Sequence, residues 1–222
     1  MVGCRDRCKR LNGPRERYEQ MLQRTDAFEL YTPAEVILYK DSTVQSQLEI
    51  FAQPEVYHVL ESEVIDSTCF IQMDACFRDQ QAILINATFR SLNKIYFESA
   101  GEIRSGELIE QDTIRIENTG LGDIDMALKS DQIISHITSS GNIILSGTAH
   151  RSVSLAASSG EIEAMNLIAD TAIVHTVGSG IISVHADHRL EVHFYKPTTV
   201  RYRGNPSVIE VYGEGNLVDA NL

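Results

Sequence analysis

From Leu92 onward the apolar positions of this chain recur at a fixed interval. Isoleucine, valine or leucine stands at 103, 124, 143, 162, 182, 200 and 217, so successive anchors lie 21, 19, 19, 20, 18 and 17 residues apart. Most follow a glycine and one outward residue, as in Gly101-Glu102-Ile103, Gly122-Asp123-Ile124, Gly141-Asn142-Ile143 and Gly160-Glu161-Ile162. A period near twenty marks one supersecondary unit stacked on copies of itself. Inside each unit the pattern alternates with period two: Ile114 and Ile116, Ile124 and Met126, Ile134 and Ile137, Ile143 and Leu145. One such unit owns too little apolar surface to bury alone. Stacked units form continuous aliphatic columns, while each backbone hydrogen-bonds to the units above and below at about 4.8 Å.

Twenty residues accommodate three short faces and three corners, the plan of a parallel β-helix. The predicted fold is therefore all-β, a right-handed parallel β-helix, with the hand taken from the general preference of parallel crossovers. The glycine before each anchor suits a tight corner because it reaches φ > 0 without a Cβ penalty. A leucine-rich repeat, a propeller blade of about forty residues and a nine-residue calcium-binding roll each need patterns that this chain lacks.

The first ninety residues are less regular. Phe28, Leu30, Val36 and Leu38 alternate around a turn at Thr32-Pro33, and Gln47 to Ala52, Val56 to Val64, Thr68 to Met73 and Ala82 to Phe89 read as further short strands. Tyr18 to Leu22 fits either a short helix or a strand. The organisation expected is a charged tether over 1–25 and a single β-helix domain over 26–222, irregular to 91 and regular from 92 to 222.

Charge narrows the partners. A formal net charge of −12 leaves little for a phosphate backbone to bind, so nucleic acid is not an expected partner. No run of eighteen apolar residues suggests a transmembrane helix. Arg5, Arg7, Lys9, Arg10, Arg15 and Arg17 crowd the amino terminus and leave the repeats more acidic still. The four cysteines, Cys4, Cys8, Cys69 and Cys76, all precede the repeats, and their spacing fits neither a zinc knuckle nor a thioredoxin motif. In an oxidising compartment they allow three pairings. The opening Met1-Val2-Gly3-Cys4 shows no apolar signal region, yet Gly3-Cys4 is what a lipoprotein cleavage site leaves behind, which makes Cys4 a candidate for lipidation.

Two outward columns are candidate chemistry. The position before each anchor reads Glu102, Asp123, Asn142, Glu161, Ile181, Thr199 and Asn216, so the carboxylates of its first four members stack about one rung apart on one face. Paired carboxylates on such a face can cleave polysaccharides, one as acid and one as base. A solvated acidic face that discourages edge pairing is the plainer account. Seven residues before each anchor lies a second column, Glu117, His136, Leu155, His175, His193 and Glu210. Leu155 interrupts its histidines, so no metal site or cofactor is expected there. Tyr195, Tyr202 and Tyr212 gather near the carboxy end, placed to cover the last rung or stack on a sugar.

The Ser-Gly-x-Ile corners at Ser139 to Ile143 and Ser158 to Ile162, the turn Tyr202-Arg203-Gly204-Asn205-Pro206 and the closing Gly213-Glu214-Gly215-Asn216-Leu217 resemble the head GIN domain family of putative autotransporter adhesins. Phe28 to Val36 resembles that family's opening strand pair, so the likeness runs over roughly 26–218, departing at the corner Lys196-Pro197-Thr198. The resemblance implies a right-handed β-helix exported by a bacterium of the Bacteroidetes type, often as a lipoprotein, with no catalytic residues. It also implies lipidation of Cys4 and pairing of Cys8 with Cys69 or Cys76. The function expected is a non-enzymatic exported binding module or adhesin at the cell envelope or outer-membrane surface, contacting carbohydrate or a cell-surface protein. A carbohydrate-active enzyme using Glu102, Asp123 and Glu161, and a self-stacking structural β-helix, are the alternatives.

Overall fold

The computed structural model describes residues 8–221. It is all-β, a parallel β-solenoid of about 7 turns with ~19 residue spacing. The seven anchors form one interior column, with Ile103 beside Ile124, then Ile143, Ile162, Ile182, Val200 and Leu217, each in parallel register with the next. The column also extends backwards, from Ile103 to Val36 and from Val36 to Ile85. A second interior column runs Cys69, Phe28, Ile95, Ile116, Ser135, Ser154, Val174, Val192 and Val211. Phe28, Phe89 and Phe97 fill the early turns, whereas serine, alanine and valine line the later ones. Two stacked buried serines satisfy each other, Ser135 Oγ donating to Ser154 Oγ at 3.1 Å.

Three central turns are each built from one long bent strand and one glycine corner. In Asp123–Ile137, Asn142–Ala156 and Glu161–Thr176 the in–out alternation slips at Asp131/Gln132, His150/Arg151 and Asp170/Thr171. A slip of phase in a period-two pattern marks a bend. The slip turns Ile133 inward and leaves Ile134, its expected counterpart, half-exposed.

The glycines before the anchors work differently from the expectation. Among the described glycines, positive φ occurs at Gly13, Gly147, Gly204 and Gly213, none of them in the Gly-x-Ile corners. The constraint there is close approach: a Cβ on Gly122, Gly141, Gly160 or Gly180 would fall far inside 3.0 Å of the carbonyl oxygen of Gly101, Gly122, Gly141 or Gly160 respectively. Successive corners thus stack glycine on glycine. Buried Asn118 braces the first of them, Nδ2 donating to the carbonyls of Gly122 (2.8 Å) and Asn142 (3.2 Å) and Oδ1 accepting from Gly120 N–H (3.0 Å).

Chain order and spatial order part company in the amino-terminal third. The turn holding Ala27–Leu30 and Glu35–Lys40 sits between the turn of Lys94–Phe97 and Glu102–Ser105 and the turn of Thr68–Gln72 and Leu84–Phe89. Beyond that lowest turn lie antiparallel strands, Gln47–Ala52 against Leu84–Phe89, Glu16–Met21 against Gln47–Ala52, and Glu61–Ile65 against Thr68–Gln72. Within the segment expected as a charged tether, Lys9–Arg10 and Glu16–Met21 form strands, and Tyr18 to Met21 lies in the second of them, with Leu22 just past its end. Val56 to Val64 corrects to a helix, Pro54–Tyr57, followed by Glu61–Ile65, because Pro54 sets a helical start. A Cys8–Cys76 disulfide fastens Lys9–Arg10 to Phe77–Arg78. Cys69 is not its partner, since it opens an interior column, fully buried. Cys4 lies outside the described residues.

Candidate functional site

The carboxylate column exists as a ladder beside the glycine corners. Glu35, Glu102 and Asp123 lie in register, and Asn142 sits beside Glu161. Asp123 is engaged structurally, its Oδ1 accepting from both the backbone N–H (3.0 Å) and Nδ2 (2.9 Å) of Asn142. An acid or base at Asp123 would have to give up this corner brace. Glu102 and Glu161 make no side-chain hydrogen bond or ion pair with a described residue; Glu102 is exposed and Glu161 half-buried.

The second column spans the whole solenoid. Phe70, Glu29, Tyr96, Glu117, His136, Leu155, His175, His193 and Tyr212 follow one another in register. Tyr212 corrects Glu210 at the last rung. Glu210 falls beside Glu191 instead, and Arg189 Nη2 bridges both at 2.7 and 3.0 Å. The rings of His175, His193 and Tyr212 stack with centroids 4.7 Å apart at each step, and Tyr195 lies alongside at 6.2–6.4 Å. Rung spacing places flat rings at stacking distance whenever they share a column. His193 Nε2 lies 2.7 Å from Glu191 Oε1. Desolvation, then the neighbouring His193, pushes the His175 pKa below its ordinary value, and desolvation does the same to His136. Among the described residues no three His, Cys, Asp or Glu side chains converge as metal ligands.

Between these two ladders runs the corner itself, Thr138-Ser139-Ser140, Ala157-Ser158-Ser159 and Val177-Gly178-Ser179 on successive rungs. Ser158 Oγ donates to the Ser139 carbonyl one rung below. An imidazole and tyrosine ladder on one side, hydroxyls at the bend and carboxylates on the other make a strip of aromatic and hydrogen-bonding groups repeated at rung spacing.

A further column was missed by sequence reasoning. Asp112, Asp131, His150, Asp170 and His188 occupy the bend where the alternation slips, and their spacing of 19, 19, 20 and 18 residues is the solenoid's own period. The same period would have found them had every offset been scanned. His150 Nδ1 lies 2.8 Å from Asp170 Oδ2, and that hydrogen bond raises the imidazole pKa. The bend lines a shallow groove of about 500 Å³ with Lys40, Glu110 and Lys129.

A family described as "Putative auto-transporter adhesin, head GIN domain" matches residues 26–206. The chain belongs to the head GIN domain family. Among solved structures, this head GIN domain is similar to a "putative adhesin" from Bacteroides fragilis, with a TM-score of 0.89 at 20% identity, covering 94% of this chain and 97% of that one. A "putative adhesin" from Parabacteroides distasonis matches at a TM-score of 0.72 and 17% identity, over 95% of this chain and 99% of that one. A "putative lipid binding protein" from the same species matches at 0.72 and 20%, over 95% and 100%. At such identities these likenesses establish the fold. No curated protein matches the chain. No described helix is long and apolar enough to cross a membrane.

Proposed function

We propose that this head GIN domain is a non-enzymatic binding module exported to the bacterial cell envelope, and that it contacts carbohydrate or a cell-surface protein through the strip beside its glycine corners. The observation that carries this reading is the conjunction of His193 and the exposed Tyr195 with the serine corner and the free carboxylates Glu102 and Glu161. Sugars are held by apolar contact with aromatic rings and by hydrogen bonds to hydroxyls and carboxylates, and the strip supplies both at a regular repeat. The adhesin family supports an extracytoplasmic role, and a Cys4 lipid anchor fits it.

Retention on a glycan array, compared between wild type and Tyr195→Ala, tests the proposal. An exposed aromatic anchor contributes about 2 kcal/mol, so the variant should lose roughly 30-fold in affinity. Equal retention by Tyr195→Ala and His193→Ala would move the ligand elsewhere. Reducing ends released by wild type but not by Asp123→Ala would show the carboxylate enzyme instead.

A further inference from the structure

We propose that the chain forms a closed two-fold dimer through the carboxy-terminal end of its solenoid. Among the described residues nothing covers the ends of the interior columns there. Leu190 and Val192 are fully buried, yet the residues that follow them in register, Ile209 and Val211, are 45% and 47% exposed. Leu217, which ends the anchor column, is only partly covered. The two last strands, Val208–Tyr212 and Asn216–Asp219, each pair along one edge only among the described residues. Apolar column ends beside unpaired strand edges are the surface that a solenoid must cover.

The opposite end decides what can cover it. There the lowest parallel turn is closed by antiparallel strands, Glu16–Met21 and Glu61–Ile65, whose edges carry Glu16, Arg17, Glu19, Glu61 and Glu63. A head-to-tail stack would have to set the apolar carboxy end against this charged, antiparallel cap, and it would grow without limit. A second copy offering its own carboxy end meets an identical apolar floor, and the two-fold arrangement closes after one addition.

Charge favours the same partner. Two chains of net charge −12 repel on most surfaces, but the rim of this end carries both signs. Arg201 and Arg203 are exposed and make no ion pair with a described residue, while Glu214 and Asp219 stand exposed nearby. An antiparallel meeting sets each copy's arginines against the other's acids. The final turn is about twenty residues long, near the about 20–30 residues that one side of a stable interface contributes. The ladder and the serine corner lie on the flanks, so a dimer leaves both copies' strips open.

Sedimentation velocity on the full chain reads the outcome as mass, independently of any ligand. The expected species is twice 24.7 kDa, or 49.4 kDa. Ile209→Lys should return it to the monomer. Because Ile209 ends a core column, Arg201→Glu with Arg203→Glu serves as a second variant outside the core; it should weaken association at least tenfold with unchanged circular dichroism. A wild type that stays monomeric at about 100 μM, a hundredfold above a Kd of about 1 μM, would overturn the proposal. So would an open-ended series of larger species, or a dimer indifferent to both variants.

Discussion

Replacing Gly141 with alanine would place a methyl group far inside 3.0 Å of the Gly122 carbonyl oxygen, 2.9 Å from Asn118 Nδ2 and 3.1 Å from the Gly120 carbonyl oxygen. None of the three can yield cheaply, because two are backbone and the third is the side chain that braces the corner. Relief requires the two rungs to part by roughly 1 Å of their about 4.8 Å spacing. Overpacking of a buried site costs about 1–3 kcal/mol. Parting the rungs also stretches the bonds from Asn118 to Gly122 and Asn142 and from Asn142 N–H to Asp123, and each buried group left unpaired adds about 1–3 kcal/mol. A loss of about 4 kcal/mol follows, or about 8–16 °C in Tm for a chain of this size. Thermal and urea unfolding measure it, with Ser140→Ala at the exposed neighbouring position as a control expected within about 0.5 kcal/mol of wild type. Gly141→Asn separates the two possible roles of the glycine. Asparagine tolerates positive φ better than alanine does, so a backbone requirement would make it the milder change, whereas a collision makes it the worse one. Gly141→Ala within about 1 kcal/mol of wild type, or Gly141→Asn more stable than Gly141→Ala, would refute the stacking argument.

The disulfide and the histidines give further tests. Cys8–Cys76 spans 68 residues, and constraining a loop of that length contributes about 4 kcal/mol in the chain-entropy picture. Cys76→Ser should therefore loosen the amino-terminal cap first, seen as faster amide exchange in Lys9–Arg10 and Phe77–Arg78 while the later turns keep their protection. Burial pushes the Cys69 thiol up to about 12, so thiol reagents should leave it unmodified until the chain unfolds. By NMR, His150 should titrate above the ordinary histidine value of about 6.5 and His175 below it. A raised pKa means that the His150–Asp170 pair stabilises the fold fully below about pH 6.5 and fades as pH rises through the folded value. The depressed pKa of His175 contributes stability above about pH 6.5 that is lost as pH falls through its folded value.

The head GIN resemblance rested on corner glycines and a terminal turn, and those same residues build the regular half of the solenoid. All seven anchors could be placed from the sequence because each unit repeats the same local problem, burying one aliphatic side chain beside one tight corner. A period in sequence then becomes a period in space, and register follows without long-range information. The outward columns were legible for the same reason. Their chemistry was less so: that Asp123 braces Asn142, and that Tyr212 rather than Glu210 completes the ring stack, depends on a local shift in the last rung that moves the pairing by two residues.

Tertiary structure alone decided what does not repeat. Placing the turn of Thr68–Gln72 and Leu84–Phe89 beneath that of Ala27–Leu30 and Glu35–Lys40 reverses chain order, and the parallel pairings that put Cys69 under Phe28 and Ile85 under Val36 hold it there. That placement brings Cys76 to Cys8 and leaves Cys69 in the core. It also folds the charged amino-terminal segment into an antiparallel cap. Non-local pairing carries no periodic signal, since its contacts join segments that resemble one another in no way. The corner glycines show the same division at the scale of one residue: the sequence determined where they must stand, and the neighbouring rung determined why.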